Sequence, residues 1–289
     1  ELGCVSPFII ACDTLSNKEL DYVAEHIVGA VINNNSFNCN AAKILVLRKN
    51  WHQRDVLMTR VKALLGKQER RYAYYPGAEQ RYSAFQKQYP QAEQVGATTE
   101  EDKKLPWLVI EDVPGQEGEY ALCNEPFCPV LSTIIVDSND VPTFLKDAVD
   151  LVNEKVWGNL TMSLFVDPTS EAKYKQQVEQ AIDDLKYGGV AYNVWSGVLY
   201  ALGSPTWGAY PGNDVRDIQS GTGVVHNSFL LDHPQKCVVR SPFMLMMGAR
   251  YTYFPSNKTA VPFLKEMTSY ETSPSVWGFA KTMWQSIWG

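Results

Sequence analysis

The strongest constraint on the fold is a regular alternation of short apolar runs with helical patterns. An apolar run of strand length over 6–12 is followed by a segment, 20–31, in which apolar residues recur at helical spacing. Ser16, with Glu19 three residues later, predicts a capping box at the start of this helix. The asparagines at 33–35 predict its end, because asparagine tolerates the left-handed conformation of a helix C-cap.

The same alternation continues along the chain. Strands are expected at 44–47, 107–110, 130–136 and 162–166, and helices over 54–65, around 80–88, over 142–152 and after Asp167-Pro168. Strands that alternate with helices of about 10–17 residues are typical of an α/β domain.

Composition excludes several classes of protein. The 289 residues are 45% hydrophobic and 20% charged, with a formal net charge of −6 and no long run of Lys or Arg, so nucleic acid is not an expected partner. No run reaches the roughly 18 apolar residues of a membrane span. The six cysteines are sparse and irregular, which favours reduced thiols and a cytoplasmic location. Their spacings and those of the histidines do not predict a metal site.

Cys39 is the candidate nucleophile. It follows the predicted helix in a polar, irregular segment, where an exposed thiol can reach a substrate. A lone cysteine is also a common small apolar filler in a protein core. The residue type alone leaves both interpretations open.

The order of the motifs around Cys39 resembles that of a known family. Glu1-Leu2-Gly3, then a strand, a helix and an asparagine-rich turn before Cys39, resemble the catalytic segment of the aldehyde dehydrogenase superfamily. The helix through Leu20-Asp21-Tyr22 anchors the register and requires an insertion within 14–19. Asn34 then matches the family's asparagine, and Cys39 matches its nucleophile.

A second motif lies further along the chain. The segment 124–131 resembles the family's E-x-F-G-P-V motif, with Cys128 at the glycine position. The resemblance implies that Glu125 accepts hydrogen bonds from the nicotinamide ribose, that Phe127 packs on the nicotinamide, and that Gly3 also lies on the cofactor side. Without the resemblance, Glu125 is read as a solvated loop carboxylate and Phe127 as a core residue.

Two later elements match the family less specifically. The strand end at Asn193 is similar to the family's G-x-V-x-V-N element, and Trp207-Gly208 resembles its P-F-G-G element. The resemblance implies that Asn34, Asn193 and Trp207 lie on the substrate side, with Asn193 bracing a loop. No metal-binding residues are expected.

The resemblance implies an α/β catalytic domain with a mixed, mostly parallel sheet flanked by helices. We expect this domain over 1–245, with an insertion-rich segment at 68–106, and a C-terminal extension over 246–289 that serves oligomerisation or interdomain packing. The family's dinucleotide-binding domain lies largely before the E-L-G-G motif, and no G-x-G-x-x-G motif is present. We therefore expect a piece of a larger protein that is inactive by itself.

The function implied by the resemblance is NAD(P)-dependent oxidation of a small aldehyde to a carboxylic acid. Cys39 would carry a thiohemiacetal and then a thioester, Glu1 would activate water, NAD or NADP would be the cofactor, and the protein would be a homo-oligomer, either a dimer or a tetramer. Two alternatives stay open. One is an inactive domain with an assembly or binding role, since Cys4 and Ser36-Phe37 depart from the family's motifs. The other is a relative that transfers the acyl group to coenzyme A, for which Glu1 is dispensable.

Overall fold

The computed structural model describes residues 2–96, 104–246 and 249–287. The chain divides into two compact units, Glu1–Phe243 and Met244–Gly289. The first unit contains all of the strands described below, and the second contains two helices. Part of the insertion-rich segment expected at 68–106, residues 97–103, lies outside the described residues.

The core of the first unit is an eight-stranded sheet in the order β10-β7-β6-β1-β2-β5-β4-β3. All neighbouring strands in it are parallel except β3, which pairs antiparallel with β4. The sequence therefore correctly predicted an α/β domain with a mixed, mostly parallel sheet. Its strands are β1 Pro7–Ile10, β2 Ile44–Arg48, β3 Glu93–Val95, β4 Trp107–Val113, β5 Val130–Val136, β6 Thr161–Phe165, β7 Gly189–Tyr192 and β10 Cys237–Arg240. A separate two-stranded sheet pairs β8, Trp207–Gly208, with β9, Val224–Val225.

Helices connect and flank the strands. In the first unit they are α1 Asn17–Ile32, α2 Arg54–Gly66, α3 Ala78–Gln88, α4 Tyr120–Cys123, α5 Val141–Lys155, α6 Pro168–Lys173, α7 Lys175–Asp184 and α8 Gly197–Leu202. The predicted capping box forms, because Ser16 accepts from the Glu19 backbone while the Glu19 carboxylate accepts from the Ser16 backbone. Helix α1 packs against α2, and α5 packs against α7. Right-handed crossovers put these two pairs on opposite faces of the sheet, because α1 leads towards β2 and α5 leads back to β6.

The central strands β1, β2 and β5 are consecutive in the sheet and almost completely buried. The segments that enter them carry Gly3, Cys39 and Glu125, respectively. Because the three strands are parallel, these segments meet at one edge of the sheet, the edge formed by the amino ends of the strands. The fold therefore brings together three residues that are far apart in the sequence.

The second unit contains α9, Ala260–Thr272, packed against α10, Val276–Ile287, with the rings of Tyr270 and Phe279 centred 6.0 Å apart. The expectation that 246–289 mediates oligomerisation or interdomain packing stays a prediction. Among the residues that the structure describes in both units, no helix combines the length and the apolar character needed to cross a bilayer.

Candidate active site

A cavity of about 650 Å³ opens at the amino ends of the central strands. It brings together four of the residues that the sequence singles out: Cys39, Gly3, Glu125 and Phe127. Glu1, the expected general base, lies outside the described residues. The lining residues among those that the structure describes are Leu2, Gly3, Phe37, Asn38, Cys39, Asn40, Tyr75, Arg81, Glu125, Phe127 and Tyr200.

The thiol of Cys39 is half-buried in a loop that leaves α1 through three consecutive left-handed residues. Asn34, Asn35 and Ser36 have φ angles of 47°, 55° and 64°. Asparagine adopts this region more readily than most residues, which explains the asparagine run before the cysteine. Asn34 does not line the cavity; its side-chain amide donates to the carbonyl of Phe37 at 3.1 Å. It therefore shapes the loop that presents the thiol.

Three hydrogen bonds from other elements fix this loop. The hydroxyl of Ser6, directly before β1, donates to the carbonyl of Cys39 at 2.7 Å. The indole of Trp195 donates to the carbonyl of Asn40 at 2.7 Å. The ammonium of Lys43 donates to the carbonyl of Ser36 at 2.8 Å, across the base of the loop. The position of the sulfur is thus tied to strands β1 and β2, which are rigid parts of the core.

Glu125 is packed against Gly3. A Cβ atom added to Gly3 would lie 2.0 Å from Oε2 of Glu125, so only glycine permits this approach. The Oε1 atom of Glu125 is buried and has no hydrogen-bond partner among the described residues. Burial raises the pKa of the Glu125 carboxyl above its ordinary value, and the nearby ammonium of Lys43 opposes this rise.

Lys43 is a fully buried cation beneath the site. Burial lowers the pKa of its ammonium below the ordinary value, while interactions with Glu125, Cys128, Cys39 and Cys4 oppose that decrease. Its nitrogen also lies 5.4 Å from the ring centroid of Phe127. The site thus holds the positive charge of Lys43 within electrostatic range of both the candidate nucleophile and the Glu125 carboxyl, and Glu125 also interacts with Arg81.

One wall of the cavity comes from the segment 71–81, in the region where the sequence resemblance is weakest. The hydroxyl of Tyr74 donates to the side-chain oxygen of Asn34 at 3.1 Å. The ring centroid of Tyr75 lies 5.8 Å from that of Phe37 and 4.8 Å from that of Phe127. This segment therefore bridges the loop that carries Cys39 and the loop that carries Glu125.

Cys128, where the family resemblance places glycine, is not among the residues that line the cavity. It is fully buried, and burial raises the pKa of its thiol to about 12. The preceding residue, Phe127, has a φ angle of 39°, a conformation that is unusual for a bulky side chain. The turn that presents the Phe127 ring to the cavity is therefore held by its surroundings.

Asn193 and Trp207 do not line this cavity. Asn193 is buried at the carboxyl end of β7, where its side-chain oxygen accepts from the backbone of Val166 at 2.9 Å. Its φ angle of 58° is a left-handed conformation. Trp207 is buried, and its ring centroid lies 5.4 Å from that of Tyr200, a lining residue. The substrate-side role of both residues stays a prediction.

Several lining residues were not predicted from the sequence: Phe37, Asn38, Asn40, Tyr75, Arg81 and Tyr200. The first three flank Cys39, so their proximity follows once the cysteine is assigned. Tyr75 and Arg81 carry no such signal, because they reach the site through contacts with distant loops. Among the described residues there is no group of three or more His, Cys, Asp or Glu side chains that could hold a metal ion.

Comparison with solved structures adds to this geometry. Aldehyde dehydrogenase 21 from Physcomitrella patens aligns over 80% of this chain and 48% of its own, with 18% identity and a TM-score of 0.58. Lactaldehyde dehydrogenase from Escherichia coli aligns over 67% of this chain and 40% of its own, with 22% identity and a TM-score of 0.53. The chain has an aldehyde dehydrogenase-like fold.

The NADP-dependent glyceraldehyde-3-phosphate dehydrogenase from Bacillus halodurans is a further example of this fold. It aligns over 68% of this chain and 39% of its own, with 20% identity and a TM-score of 0.53. This chain thus spans less than half the length of the aldehyde dehydrogenases with which it aligns. No protein-family model and no curated protein matches the sequence. At these identities the likeness is one of fold, and the chemistry is argued from the site itself.

Proposed function

We propose that this chain carries the nucleophile of an NAD(P)-dependent aldehyde dehydrogenase that oxidises an aldehyde to a carboxylic acid. The observation that carries the proposal is the shared cavity: the half-buried thiol of Cys39 and the carboxyl of Glu125, whose Oε1 atom is buried, line the same 650 Å³ space. A thiol and an ionisable group that converge on a cavity are the ordinary constituents of covalent catalysis. The aldehyde dehydrogenase-like fold makes aldehyde oxidation the favoured reaction class.

The reaction begins when the thiolate of Cys39 adds to the carbonyl carbon of the aldehyde and forms a carbon–sulfur bond. Backbone N–H groups beside Cys39 stabilise the oxyanion of this thiohemiacetal. Loss of hydride converts the adduct to a thioester. Glu1 takes a proton from the water that attacks the thioester carbon, the carbon–sulfur bond breaks, and the carboxylic acid leaves with regeneration of the thiolate.

The residues present fit the nicotinamide end of the cofactor. The buried Oε1 of Glu125 lacks a partner among the described residues and is an acceptor for a ribose hydroxyl, and the Phe127 ring provides a flat apolar surface. When bound, the nicotinamide supplies the acceptor for the hydride. Because Gly3 has no side chain, it leaves room for the Glu125 carboxylate. No G-x-G-x-x-G motif is present for the rest of the cofactor.

The test is aldehyde-dependent formation of NADH or NADPH by the natural full-length protein, with a panel of aldehydes. Cys39→Ala is expected to abolish this activity, and Cys123→Ala, which removes an exposed thiol, to leave it intact. Activity that survives Cys39→Ala, or wild-type protein that reduces neither cofactor with any aldehyde, would contradict the proposal.

Two other functions follow from specific residues. One is transfer of the acyl group from Cys39 to coenzyme A, which needs no carboxylate to activate water. If the protein has this function, Glu1→Gln still forms acyl-coenzyme A. If it hydrolyses the thioester instead, Glu1→Gln abolishes release of the carboxylic acid. A binding role without catalysis is favoured by the departures at Cys4 and Ser36-Phe37. For that role, iodoacetamide would show no preference for Cys39 over the other five cysteines.

A further inference from the structure

Arg81 is held rigidly at the wall of the cavity. Its Nε donates to the carbonyl of Pro126 at 2.9 Å, its Nη2 to the carbonyl of Phe127 at 3.2 Å, and its Nη1 to the carbonyl of Pro76 at 3.2 Å. Its guanidinium carbon lies 6.0 Å from the ring centroids of both Tyr75 and Phe127. A guanidinium fixed in this way has lost its side-chain freedom before any ligand arrives.

The hydrogen-bonding capacity of this guanidinium is not exhausted. A guanidinium carries five N–H groups, and the three bonds to carbonyls leave one N–H on Nη1 and one on Nη2. Within the part of the chain that the structure describes, no carboxylate forms an ion pair with Arg81. An arginine that lines a cavity with N–H groups and charge to spare is suited to a planar anion.

The charges around the cavity support the same conclusion. Arg81 and Glu125 are the charged side chains among its described lining residues, and the buried ammonium of Lys43 lies within electrostatic range of Glu125. Glu125 interacts with both Lys43 and Arg81, so two positive charges face one carboxylate and one positive charge is in excess. The potential that a ligand meets beside Cys39 is thus positive in the described part of the site.

We propose that Arg81 binds a carboxylate on the compound that Cys39 attacks, so that the site selects carboxylate-bearing electrophiles over neutral ones. This inference rests on the proposed function for its natural substrates, which would be aldehydes that carry a carboxylate. The aromatic rings of Tyr75 and Phe127 would pack along the carbon chain between the two groups. The discriminating element lies in segment 71–81 and not in the motifs that resemble the family.

Alkylation of the thiol tests this proposal without cofactor or turnover. The rates of reaction of iodoacetate and iodoacetamide at Cys39 are measured by peptide mapping, and each is divided by the rate at the exposed Cys123 in the same molecules. At Cys39, the normalised rate with iodoacetate divided by the normalised rate with iodoacetamide should exceed one. Arg81→Gln should lower this ratio by roughly threefold to tenfold, because it removes a unit positive charge from the cavity that Cys39 lines.

A charge-preserving variant separates binding from positioning. Arg81→Lys keeps the positive charge but cannot make all three carbonyl bonds, and it should retain most of the preference for iodoacetate. A normalised ratio that is the same in wild type and Arg81→Gln would overturn the proposal. An equal slowing of both reagents in Arg81→Gln and Arg81→Lys would also overturn it and leave Arg81 a positioning residue. These outcomes do not depend on whether the protein oxidises aldehydes.

Discussion

The ammonium of Lys43 donates a 2.8 Å hydrogen bond to the carbonyl of Ser36, and this bond closes the loop that carries Cys39. Lys43 is the last residue before β2, whereas Ser36 ends the left-handed turn that follows α1. The bond is made by a charged donor in a buried place, where such bonds contribute more than neutral ones. The same nitrogen therefore fixes the loop and places a positive charge near the thiol.

Replacement of Lys43 should make Cys39 less reactive. Lys43→Met removes the charge that favours the thiolate, and we expect alkylation of Cys39 by iodoacetamide near neutral pH to slow roughly fivefold to tenfold. Lys43→Arg keeps the charge and should retain most of the rate. Lys236→Met is the matched control, because Lys236 also ties carbonyls, at the end of α7, but not at the cavity. Equal rates in Lys43→Met and wild type would contradict this role.

Gly3→Ala should displace the carboxylate of Glu125. The added Cβ would lie 2.0 Å from Oε2, so the side chain must move or the backbone must shift, at a cost of about 1–3 kcal/mol in the free energy of unfolding. Gly66→Ala is the control, since its Cβ would make an ordinary 3.6 Å contact with Val95. Denaturant unfolding of the two variants measures the difference. A Gly3→Ala protein as stable as Gly66→Ala would refute the close approach.

The raised pKa of Glu125 predicts a dependence of stability on pH. Because the folded-state pKa lies above that of the unfolded chain, proton binding at Glu125 favours the folded state. This contribution is complete below the unfolded pKa of about 4.5 and is lost as the pH rises through the folded pKa. Relative to Glu125→Gln, the wild type should therefore gain stability as the pH falls from about 7 towards 4.5.

Unfolding midpoints in urea across that pH range provide the measurement. Glu69→Gln, at an exposed position, gives the baseline for replacing a surface carboxylate by an amide. A wild-type free energy of unfolding that, relative to that of Glu125→Gln, stays constant or decreases as the pH falls would contradict the raised pKa of Glu125.

Asn193 is expected to matter for folding more than for reactivity. Asn193→Ala removes the acceptor for the buried N–H of Val166 and puts a Cβ-bearing residue that lacks an amide at a φ angle of 58°. We expect a loss of about 2–3 kcal/mol in the free energy of unfolding. Asn193→Gly keeps the conformation and should lose less. Cys39 alkylation should stay within about twofold of wild type, and a larger loss in a stable variant would restore a substrate-side role.

The sequence was sufficient where local chemistry decides the structure. The capping box at Ser16 and the Asp167 cap are short-range features that appear in the structure as expected. The helix also ends at the asparagines, where Asn34 and Asn35 are left-handed but the C-cap Asn33, with a φ angle of −56°, is not. Gly3, Cys39 and Glu125 share a cavity because the amino ends of parallel strands lie at one edge of the sheet. The alternation of strands and helices in the sequence already predicts such parallel strands.

The contributions of Tyr75 and Arg81 could not be foreseen, for a physical reason. Their partners are backbone carbonyls and rings of the 126–127 turn, about 45 positions away, and such contacts leave no periodic trace in the sequence. The hydrogen-bond partner of Asn193 could not be foreseen for a related reason. A polar residue at a strand end can serve either edge of the sheet, and only the fold shows that its side-chain oxygen accepts from Val166, the residue after β6. Its substrate-side role stays a prediction.

Gly3, Cys39 and Glu125 lie a few residues before β1, β2 and β5, which are neighbours in the sheet. A slip of one position between β1 and β2, or between β2 and β5, would move the sulfur by about 3.3 Å relative to the carboxyl, more than a covalent reaction tolerates. The packing of aliphatic side chains in the sheet fixes the strand register and therefore the relative positions of the reacting atoms. Such a scaffold lets loop sequences diverge during evolution while the position of the Cys39 sulfur is maintained.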